Sequence, residues 1–457
     1  MEQRYSGRLG RFSRRDFLKV GGASLAGAAL LGAAGCGGQQ GGQSGGEQRV
    51  VFSFGPDDSG TLQELVERFN RQHAGEIRVE YQERSRVTDE YFRSLVSDFE
   101  AGGGGVDVIG GDVIWAAEFA DNGWIEDISR RFYSDYPQDV PGAFLEAQVN
   151  SVSWRNRLWG VPWFSDAGLL YYRRDLLEES GFDAPPSTWD GLKEIADRVT
   201  QDAGTRYGFV FQGDDYEGGV VNGMEFIWSA GGQVLSTSSI QAVPGQPVNL
   251  SPNEVEADDP RVVEGLGVER SMIEDGVSPE EVAGYRELDA QQAFFAGDAV
   301  FLRGWPYMYA LATEGDAELS ADQIGIAQIP VAAEGNQSYS CLGGWNMYIN
   351  AASEKQDAAW EFVKFATAPE QQRFRALEGS FLPTLSELYN DQEVLNRVPV
   401  IELGGDIIEN NLRARPSSPA YSQLSQRMAL RFNDCLSGEL EPEETAETLQ
   451  QEMEALL

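Results

Sequence analysis

The sequence predicts an α/β protein folded into two lobes, each with a mostly parallel β-sheet flanked by helices. The first reason is the alternation of short β-branched or aromatic runs with segments of helical periodicity along the chain. The second is the length of 457 residues, which exceeds the ~250–300 residues at which one hydrophobic core stops growing. Two cores are therefore expected, with a ligand cleft at the carboxyl ends of the strands, where open α/β sheets bind their ligands.

The first elements of the body follow the order strand, helix, strand, helix, strand. Runs of β-branched and aromatic residues predict the strands, and apolar residues three and four positions apart predict the helices. The predicted strands are 49–54, 77–81 and 106–109, and the predicted helices are 61–73, a segment through Leu95 and Phe99, and 115–122. At this spacing the order is typical of a parallel sheet with helices on both faces.

The alternation continues through the rest of the chain. The run 185–188 predicts a cap for a following helix, and the tail from Pro419 is predicted to be helical. Further strands are predicted to end at Tyr172 or to span 207–211, 299–302, 324–327 and 346–350.

We divide these elements between two lobes that each use non-contiguous segments. Residues 49–163 and 302–350 are assigned to lobe 1, and residues 164–301 and 351–457 to lobe 2. Segments near 162–165 and 302–304 are expected to cross between the lobes and to act as a hinge, as in other proteins that close around a ligand.

The N-terminal segment is predicted to direct export. Arg14 and Arg15 precede a Gly/Ala/Leu run that ends at Cys36, a pattern typical of a twin-arginine signal. The run is too short and too rich in glycine to span a bilayer as a helix. We therefore predict a signal peptide at 1–35, lipidation of Cys36, a flexible Gly/Gln/Ser tether at 36–48, and an extracytoplasmic protein anchored to the cell membrane.

The charge of the chain excludes some partners. The formal net charge is −38, and without residues 1–35 the chain keeps 29 basic and 71 acidic residues, a net charge of −42. Such a field repels phosphate backbones, so a nucleic-acid partner is not expected, and anionic ligands are disfavoured.

Histidine and cysteine are scarce. His73 is the single histidine of the sequence, so multi-histidine metal sites are excluded, and a Ser-His-Asp triad would require His73 itself. No metal or cofactor is expected. Cys341 and Cys435 form either a disulfide, which an oxidising location permits, or two isolated buried thiols.

Two carboxylates and several aromatic residues are the candidates for a site. Asp112 and Asp166 each follow an apolar run, and as a pair they fit either a glycosidase acid and base or acceptors for sugar hydroxyls. A helix N-cap is a further possibility for Asp112. Aromatic residues beside turn-forming residues suit platforms on which a pyranose ring lies. They are Trp115, Trp163, Phe164, Trp305, Tyr307, Trp345 and Tyr421. Arg415, just before Pro416, is the candidate for a cationic sugar contact.

At these positions the sequence resembles a known family. The motifs are DAGLLYYRRD (166–175), PPSTW (185–189), FQGDDYEG (211–218), GWPY (304–307), LGGW (342–345) and RPSSPAY (415–421). Together they resemble the extracellular solute-binding proteins of ABC sugar importers, closest to the trehalose/maltose-binding branch. The resemblance runs from about Val50 to the C-terminus with the motifs in the same order.

The resemblance implies a two-lobed periplasmic-binding-protein fold, a hinge, and a site for a glucose-containing disaccharide. It also implies delivery to membrane permease subunits by a monomer that is not an enzyme. The implied ligand-binding residues are Asp58, Asp112, Trp115, Phe164, Asp166, Trp305, Tyr307, Gly343, Gly344, Trp345 and Arg415. Asp58 stands where glutamate is expected, and 83–86 departs from the family pattern. The alternatives are a secreted glycoside hydrolase using Asp112 and Asp166, and a binder of another glycoside or compatible solute.

Overall fold

The structure is a computed structural model that describes residues 46–136, 143–237, 252–314 and 319–457. The predicted signal peptide at 1–35, the predicted lipidation site Cys36 and most of the predicted tether lie outside the described residues. In the part that is described, no helix has both the length and the apolar character needed to cross a bilayer.

The described strands and helices alternate as expected for an α/β protein. The strands are β1 (Gln48–Phe54), β2 (Ile77–Glu83), β3 (Val108–Asp112), β4 (Ser153–Trp154), β5 (Arg157–Leu158), β6 (Gly160–Ala167), β7 (Leu169–Arg173), β8 (Tyr207–Val210), β9 (Leu235–Thr237), β10 (Pro252–Val255), β11 (Ala299–Gly304), β12 (Ile324–Ala327), β13 (Ser340–Ile349) and β14 (Leu412–Arg413). The α-helices are α1 (Thr61–Gln72), α2 (Thr88–Glu100), α3 (Ala116–Asp121), α4 (Ser129–Asp135), α5 (Glu146–Ser151), α6 (Arg174–Glu179), α7 (Trp189–Ala203), α8 (Glu217–Ser229), α9 (Pro260–Glu274), α10 (Glu287–Phe295), α11 (Met308–Glu314), α12 (Gln356–Ala366), α13 (Pro369–Gly379), α14 (Gln392–Arg397), α15 (Pro399–Asn410), α16 (Tyr421–Leu436) and α17 (Pro442–Glu454). Short 3₁₀ helices cover Glu280–Gly284, Ala321–Gln323 and Ser386–Asn390.

Most local predictions overlap these elements, but β13 begins at Ser340 rather than at the predicted residue 346, and the predicted helical tail is broken between α16 and α17. The predicted helix 61–73 is α1, which buries Leu62, Leu65 and Phe69 on one face. The predicted cap is present, because the Thr188 hydroxyl accepts a hydrogen bond of 3.1 Å from the Gly191 N–H at the start of α7. Propensity and periodicity are local properties, so they locate elements well wherever a single face is buried.

The first sheet has six strands in the order β14-β13-β3-β1-β2, with β6 also paired to β13. β1 runs parallel to β2 and β3. β13 runs antiparallel to β3 and to β6. Strand β13 therefore joins β14 and β6 to the parallel strands of this sheet. β3 and β13 are almost wholly buried, and β1 is buried in its C-terminal half.

The second sheet has four strands in the order β12-β7-β11-β8. β11 is parallel to β8 and antiparallel to β7, and β12 is antiparallel to β7. The two-lobed α/β fold class is thereby confirmed. The prediction of a mostly parallel sheet in each lobe holds for the first sheet but is wrong for the second, because two of its three strand pairs are antiparallel.

The strand pairing corrects the predicted division of the chain. The predicted boundary at 163/164 falls inside β6, and the predicted lobe 1 segment 302–350 divides between the sheets, since β11 and β12 pair with β7. Helices α12 and α13 pack against α1 on the first sheet, whereas α16 and α17 pack against α8 and α9 beside the second. The predicted lobe 2 segment 351–457 is thus divided as well. Periodicity locates a helix along the chain but does not show which sheet the helix packs against.

The chain passes between the two sheets at Gly168, at 328–339 and at 414–420. The predicted hinge segments 162–165 and 302–304 instead lie within the paired strands β6 and β11. Gly168 is the shortest of the passages, and a Cβ there would lie 2.5 Å from the Arg303 Nη2 atom. Only a residue without a side chain fits at this point.

Candidate functional site

A cavity with an empty volume of about 1010 Å³, partly open to solvent, lies between residues that follow strands of both sheets. Its walls are formed by the loops after β1, β2 and β11, by the C-terminal parts of β3 and β6, and by the middle of β13. Ten of the eleven ligand-binding residues that the resemblance implies line it. They are Asp58, Asp112, Phe164, Asp166, Trp305, Tyr307, Gly343, Gly344, Trp345 and Arg415.

Trp115 is the exception. Its side chain is 3% exposed and packs against Tyr91 and Trp345, with ring centroids 5.4 and 5.7 Å away. It borders a smaller neighbouring pocket rather than the main cavity. A direct contact between Trp115 and a ligand in the main cavity is therefore not supported. Trp115 instead packs against the Trp345 ring and supports it.

The register of three strands brings the site together. Trp345 of β13 lies opposite Asp112 of β3, and Gly343 lies opposite Asp166 of β6. Gly343 leaves room for its neighbours, since a Cβ there would lie 2.9 Å from Trp305 Cζ3 and 3.0 Å from Asp166 Cβ. The glycine thus allows the Trp305 indole and the Asp166 carboxylate to approach the same strand.

Aromatic rings form much of the wall. Trp345 is half-buried and meets Phe54 edge to face, with centroids 4.9 Å apart. Tyr307 and Phe381 stack at 6.3 Å. The Trp305 ring lies 3.9 Å from the Arg303 guanidinium carbon, which fixes the indole plane through a cation–π contact. Rings held in this way offer flat apolar faces to a ligand.

Arg415 connects the two sides of the cavity. Its Nη1 atom lies 2.5 Å from the Glu217 Oε1 atom of α8, and Nη2 lies 3.5 Å from the Asp112 Oδ1 atom of β3. Nη2 also donates to the Leu342 carbonyl at 3.1 Å. Burial raises the pKa of Asp112 to about 6, while Arg415 opposes this shift and Glu217 reinforces it.

The remaining carboxylates differ in their partners. Asp58 is ion-paired with Arg86 at 2.9 Å. Asp166 is buried, and its Oδ1 atom has no hydrogen-bond partner among the described residues. Burial raises the pKa of Asp166 well above its usual value, and the charge of Arg375 opposes the shift.

A model of the family described as bacterial extracellular solute-binding protein matches residues 55–373. The chain belongs to this family. A probable ABC transporter-binding protein of Deinococcus radiodurans is 31% identical over 358 residues, covering 76% of this chain and 78% of that protein. A maltose-bound MalE3 of T. maritima has a TM-score of 0.81 and 33% identity, covering 90% of this chain and 100% of that one. A maltotriose-binding protein of Pyrococcus abyssi is 25% identical over 67% of this chain and 60% of its own.

Several cavity residues of this solute-binding protein were not found by sequence reasoning. Glu217 begins α8 and accepts hydrogen bonds from Arg415, Tyr421 and Ser425. Glu287 begins α10, and burial raises its pKa. Both carboxylates are the first residues of their helices, where an acidic residue is usual, so no local signal separates them from ordinary first-turn residues. Arg86 was noted only as part of a loop that departs from the family pattern.

The structure decides between the two alternatives for the cysteines. Cys341 and Cys435 of the solute-binding protein are both buried and free, so the disulfide alternative is wrong. Cys341 lies at the start of β13 and Cys435 in α16, which pack on different sheets. Within the described ranges, no group of three or more His, Cys, Asp or Glu residues is placed to hold a metal ion.

Proposed function

We propose that the chain is the solute-binding subunit of an ABC importer that captures a glucose-containing disaccharide of the trehalose or maltose type. The proposal is based mainly on one observation: aromatic rings and carboxylates line the same cavity. A sugar presents C–H faces that stack on rings and hydroxyl edges that donate to carboxylates. The maltose-bound state of the T. maritima neighbour and the maltotriose-binding relative support the same ligand class.

The proposed ligand contacts are the ten cavity residues named above, together with Glu217 and Glu287. Trp345 and Trp305 would provide stacking surfaces, and Asp112 and Asp166 would accept hydroxyl hydrogen bonds. Arg415 would act chiefly by holding Asp112 and Glu217 in place, because its guanidinium is already engaged with both. A sugar suits a cavity that combines apolar ring faces with a few polar groups, as ligand pockets commonly do.

The proposed mechanism is closure of the two lobes over the sugar, followed by delivery to membrane permease subunits. The three passages between the sheets would act as the hinge. Contacts between the sides would stabilise the closed form: Glu118 accepts hydrogen bonds from the Ser422 N–H at 3.2 Å and its hydroxyl at 2.9 Å. Arg286 lies 3.6 Å from Glu90. A lipid anchor at Cys36 would keep the protein beside its permease.

Calorimetric titration of the purified chain with maltose, trehalose, maltotriose and a panel of other glycosides tests the proposal. We expect saturable binding of at least one disaccharide and no release of glucose on incubation. Small-angle scattering with and without that sugar should show a smaller radius of gyration in the complex. Binding without any change in the radius would contradict the closure mechanism while leaving the ligand class in place.

A glycoside hydrolase is the competing function, and one observation favours it: the pKa values of Asp112 and Asp166 are both raised by burial in the same cavity. A carboxyl with a raised pKa is suited to act as a general acid. Steady release of glucose from maltose or trehalose, abolished by Asp166→Asn, would replace the binding proposal with hydrolysis.

A further inference from the structure

A buried ion pair lies behind the Trp305 ring. Arg303 of β11 and Glu225 of α8 are each 2% exposed. Two hydrogen bonds of 2.7 Å join the Arg303 Nε and Nη2 atoms to the two carboxylate oxygens of Glu225. Trp305 lines the cavity, whereas neither member of the pair does. The pair therefore lies outside the set of proposed ligand contacts.

Arg303 supports the indole of Trp305 on one face. Its guanidinium carbon lies 3.9 Å from the centroid of that ring. Because Arg303 does not border the cavity, the guanidinium covers the face of the ring that is turned away from the cavity. A guanidinium over an indole is attracted by the ring quadrupole, most strongly where water is excluded, so the position of Arg303 determines that of the ring.

Glu225 in turn determines the position of Arg303. Among the described residues, Glu225 is the hydrogen-bonding partner of the Arg303 side chain, and the Arg303 Nη1 atom is buried without one. The bidentate geometry fixes the plane of the guanidinium as well as its position. A single carboxylate thus orients the group that supports the Trp305 ring.

The same carboxylate contacts the first sheet. The Glu225 Oε1 atom also accepts a hydrogen bond of 2.9 Å from the Cys341 N–H of β13. The passage at Gly168 packs against the pair, since a Cβ at Gly168 would clash with the Glu225 Oε1 atom. The Ser340 hydroxyl donates to the Gly168 carbonyl at 2.7 Å. Glu225 therefore joins α8, β11 and β13 at a point where the chain passes between the sheets.

Stability alone does not account for this pair. Replacing both members of a buried ion pair by uncharged side chains is often neutral or stabilising, because the desolvation of two charges offsets their attraction. A bidentate pair does, however, fix the relative placement of the elements that carry it. For Arg303 and Glu225, those elements carry the Trp305 ring and contact the strand that contains Gly343 and Trp345.

We propose that Glu225 and Arg303 are positioning residues for the sugar site: the buried pair holds the Trp305 indole at a fixed place and angle against β13, ready to stack on a sugar. The inference rests on the proposed function. A ring that is already fixed in the ligand-free protein loses less freedom when a ligand binds. The pair would therefore set affinity through Trp305 without touching the ligand.

The test removes the charges of the pair and keeps its shape. The double variant Arg303→Met/Glu225→Gln introduces uncharged side chains of similar size, and the glutamine oxygen can still accept the backbone hydrogen bond from β13. The matched control is Arg173→Met/Asp175→Asn. It removes a bidentate pair beside the same sheet, with hydrogen bonds of 2.8 and 2.6 Å, whose members do not line the cavity. Both double changes are repeated in the background of Trp305→Ala.

Maltose affinity is measured by calorimetry, and the Trp305 ring is followed by ¹⁹F NMR of the ligand-free protein labelled with fluorotryptophan. The sequence has ten tryptophans, and Trp305→Phe identifies the resonance of Trp305. Without the Arg303–Glu225 pair, we expect a shifted or broadened Trp305 signal and about tenfold weaker maltose binding. The control should change neither quantity. In the background of Trp305→Ala, removing the pair should cause no further loss of affinity.

Wild-type affinity, or an unchanged Trp305 signal, in the variant without the pair would overturn the inference. An equal loss of affinity in the background of Trp305→Ala would also overturn it, since the pair would then act by a route other than the ring. If the double variant does not fold, Arg303→Lys decides, because lysine keeps the charge without the bidentate plane, and an undisturbed Trp305 signal there would refute the positioning role. If the wild-type chain binds no maltose, trehalose or maltotriose, the proposed disaccharide fails, while the ligand-free ¹⁹F spectra still judge the pair.

Discussion

Gly343 offers the most direct test of where the ligand lies. A methyl group at this position would be 2.9 Å from Trp305 Cζ3, 3.0 Å from Trp305 Cη2 and 3.0 Å from Asp166 Cβ. These atoms belong to the side chains of two cavity residues, and the backbone at Gly343 does not require a positive φ. The substitution Gly343→Ala should therefore displace side chains of the proposed site without straining the main chain.

The magnitude follows from the cost of overpacking. Inserting one methyl group against a packed neighbour costs ~1–3 kcal/mol. Trp305 borders the cavity and can move into it, so we expect the clash to be relieved by displacement of the indole from its place in the ligand-free protein. The sugar would then have to move the Trp305 indole back to its original place. This cost would weaken sugar affinity by about 5- to 150-fold, with a small change in melting temperature.

Gly344→Ala and Gly104→Ala serve as controls. Gly344 has a φ of +118°, and a Cβ there would lie 2.9 Å from the Ser165 Cα atom, so alanine strains the backbone and should lower the melting temperature. Nothing lies within 4 Å of a Cβ at Gly104, and alanine there should leave both quantities unchanged. Calorimetry with maltose, or with the disaccharide that binds best, and thermal unfolding without sugar give the two measurements. Wild-type affinity in Gly343→Ala would refute the placement of the ligand against Trp305.

Three further predictions address stacking, burial and helix capping. Trp345→Ala should weaken sugar binding about tenfold or more by removing a ring face, and it should also lower the melting temperature, because the ring packs on Phe54; a loss of melting temperature with intact affinity would exclude a binding role. Burial raises the pKa of Glu269 to about 8, so the folded protein loses stability as the pH rises from about 4.5 to about 8, where the carboxyl ionises more readily in the unfolded chain. Glu269→Gln should therefore raise the melting temperature at pH 8 and change it little at pH 4. An equal effect at both pH values would disprove the raised pKa of Glu269. Thr188→Ala should cost about 1 kcal/mol of unfolding free energy in a urea titration, since the Gly191 N–H loses its acceptor, and a stability equal to wild type would contradict the cap.

The candidate site was predictable where glycine or proline stands beside an aromatic residue, although Trp345 lies within β13 and not at a turn. Trp305 before a proline and Trp345 after two glycines both reach the cavity. Trp115 has a similar local setting, yet its ring turns inward onto Tyr91, because side-chain direction depends on the packing of the neighbouring helix. Glu217 and Glu287 were not predictable, since an acidic residue at the start of a helix is common and has no pattern that marks a ligand site.

In the fold, too, the positions of elements could be predicted from local sequence, whereas their pairing could not. Strand and helix positions follow from periodicity, as the match of 61–73 with α1 illustrates. The assignment of 302–350 as a whole to lobe 1 and of 351–457 as a whole to lobe 2 was wrong, because it depends on which strand pairs with which. β11 joins β7 and β8 through contacts between residues far apart in sequence, and a single sequence carries no record of such pairing.

The place of β13 in the first sheet sets the order in which the chain can fold. β13 joins β3 to β6 and β14, so β2, β1 and β3 remain a three-stranded fragment until residues 340–349 are available. All four strands of the second sheet lie between residues 169 and 327 and precede β13 along the chain. During synthesis the second sheet can therefore assemble while β3 still presents an unpaired edge. Chains that end before residue 340 would keep that edge exposed, which makes them candidates for aggregation through strand pairing.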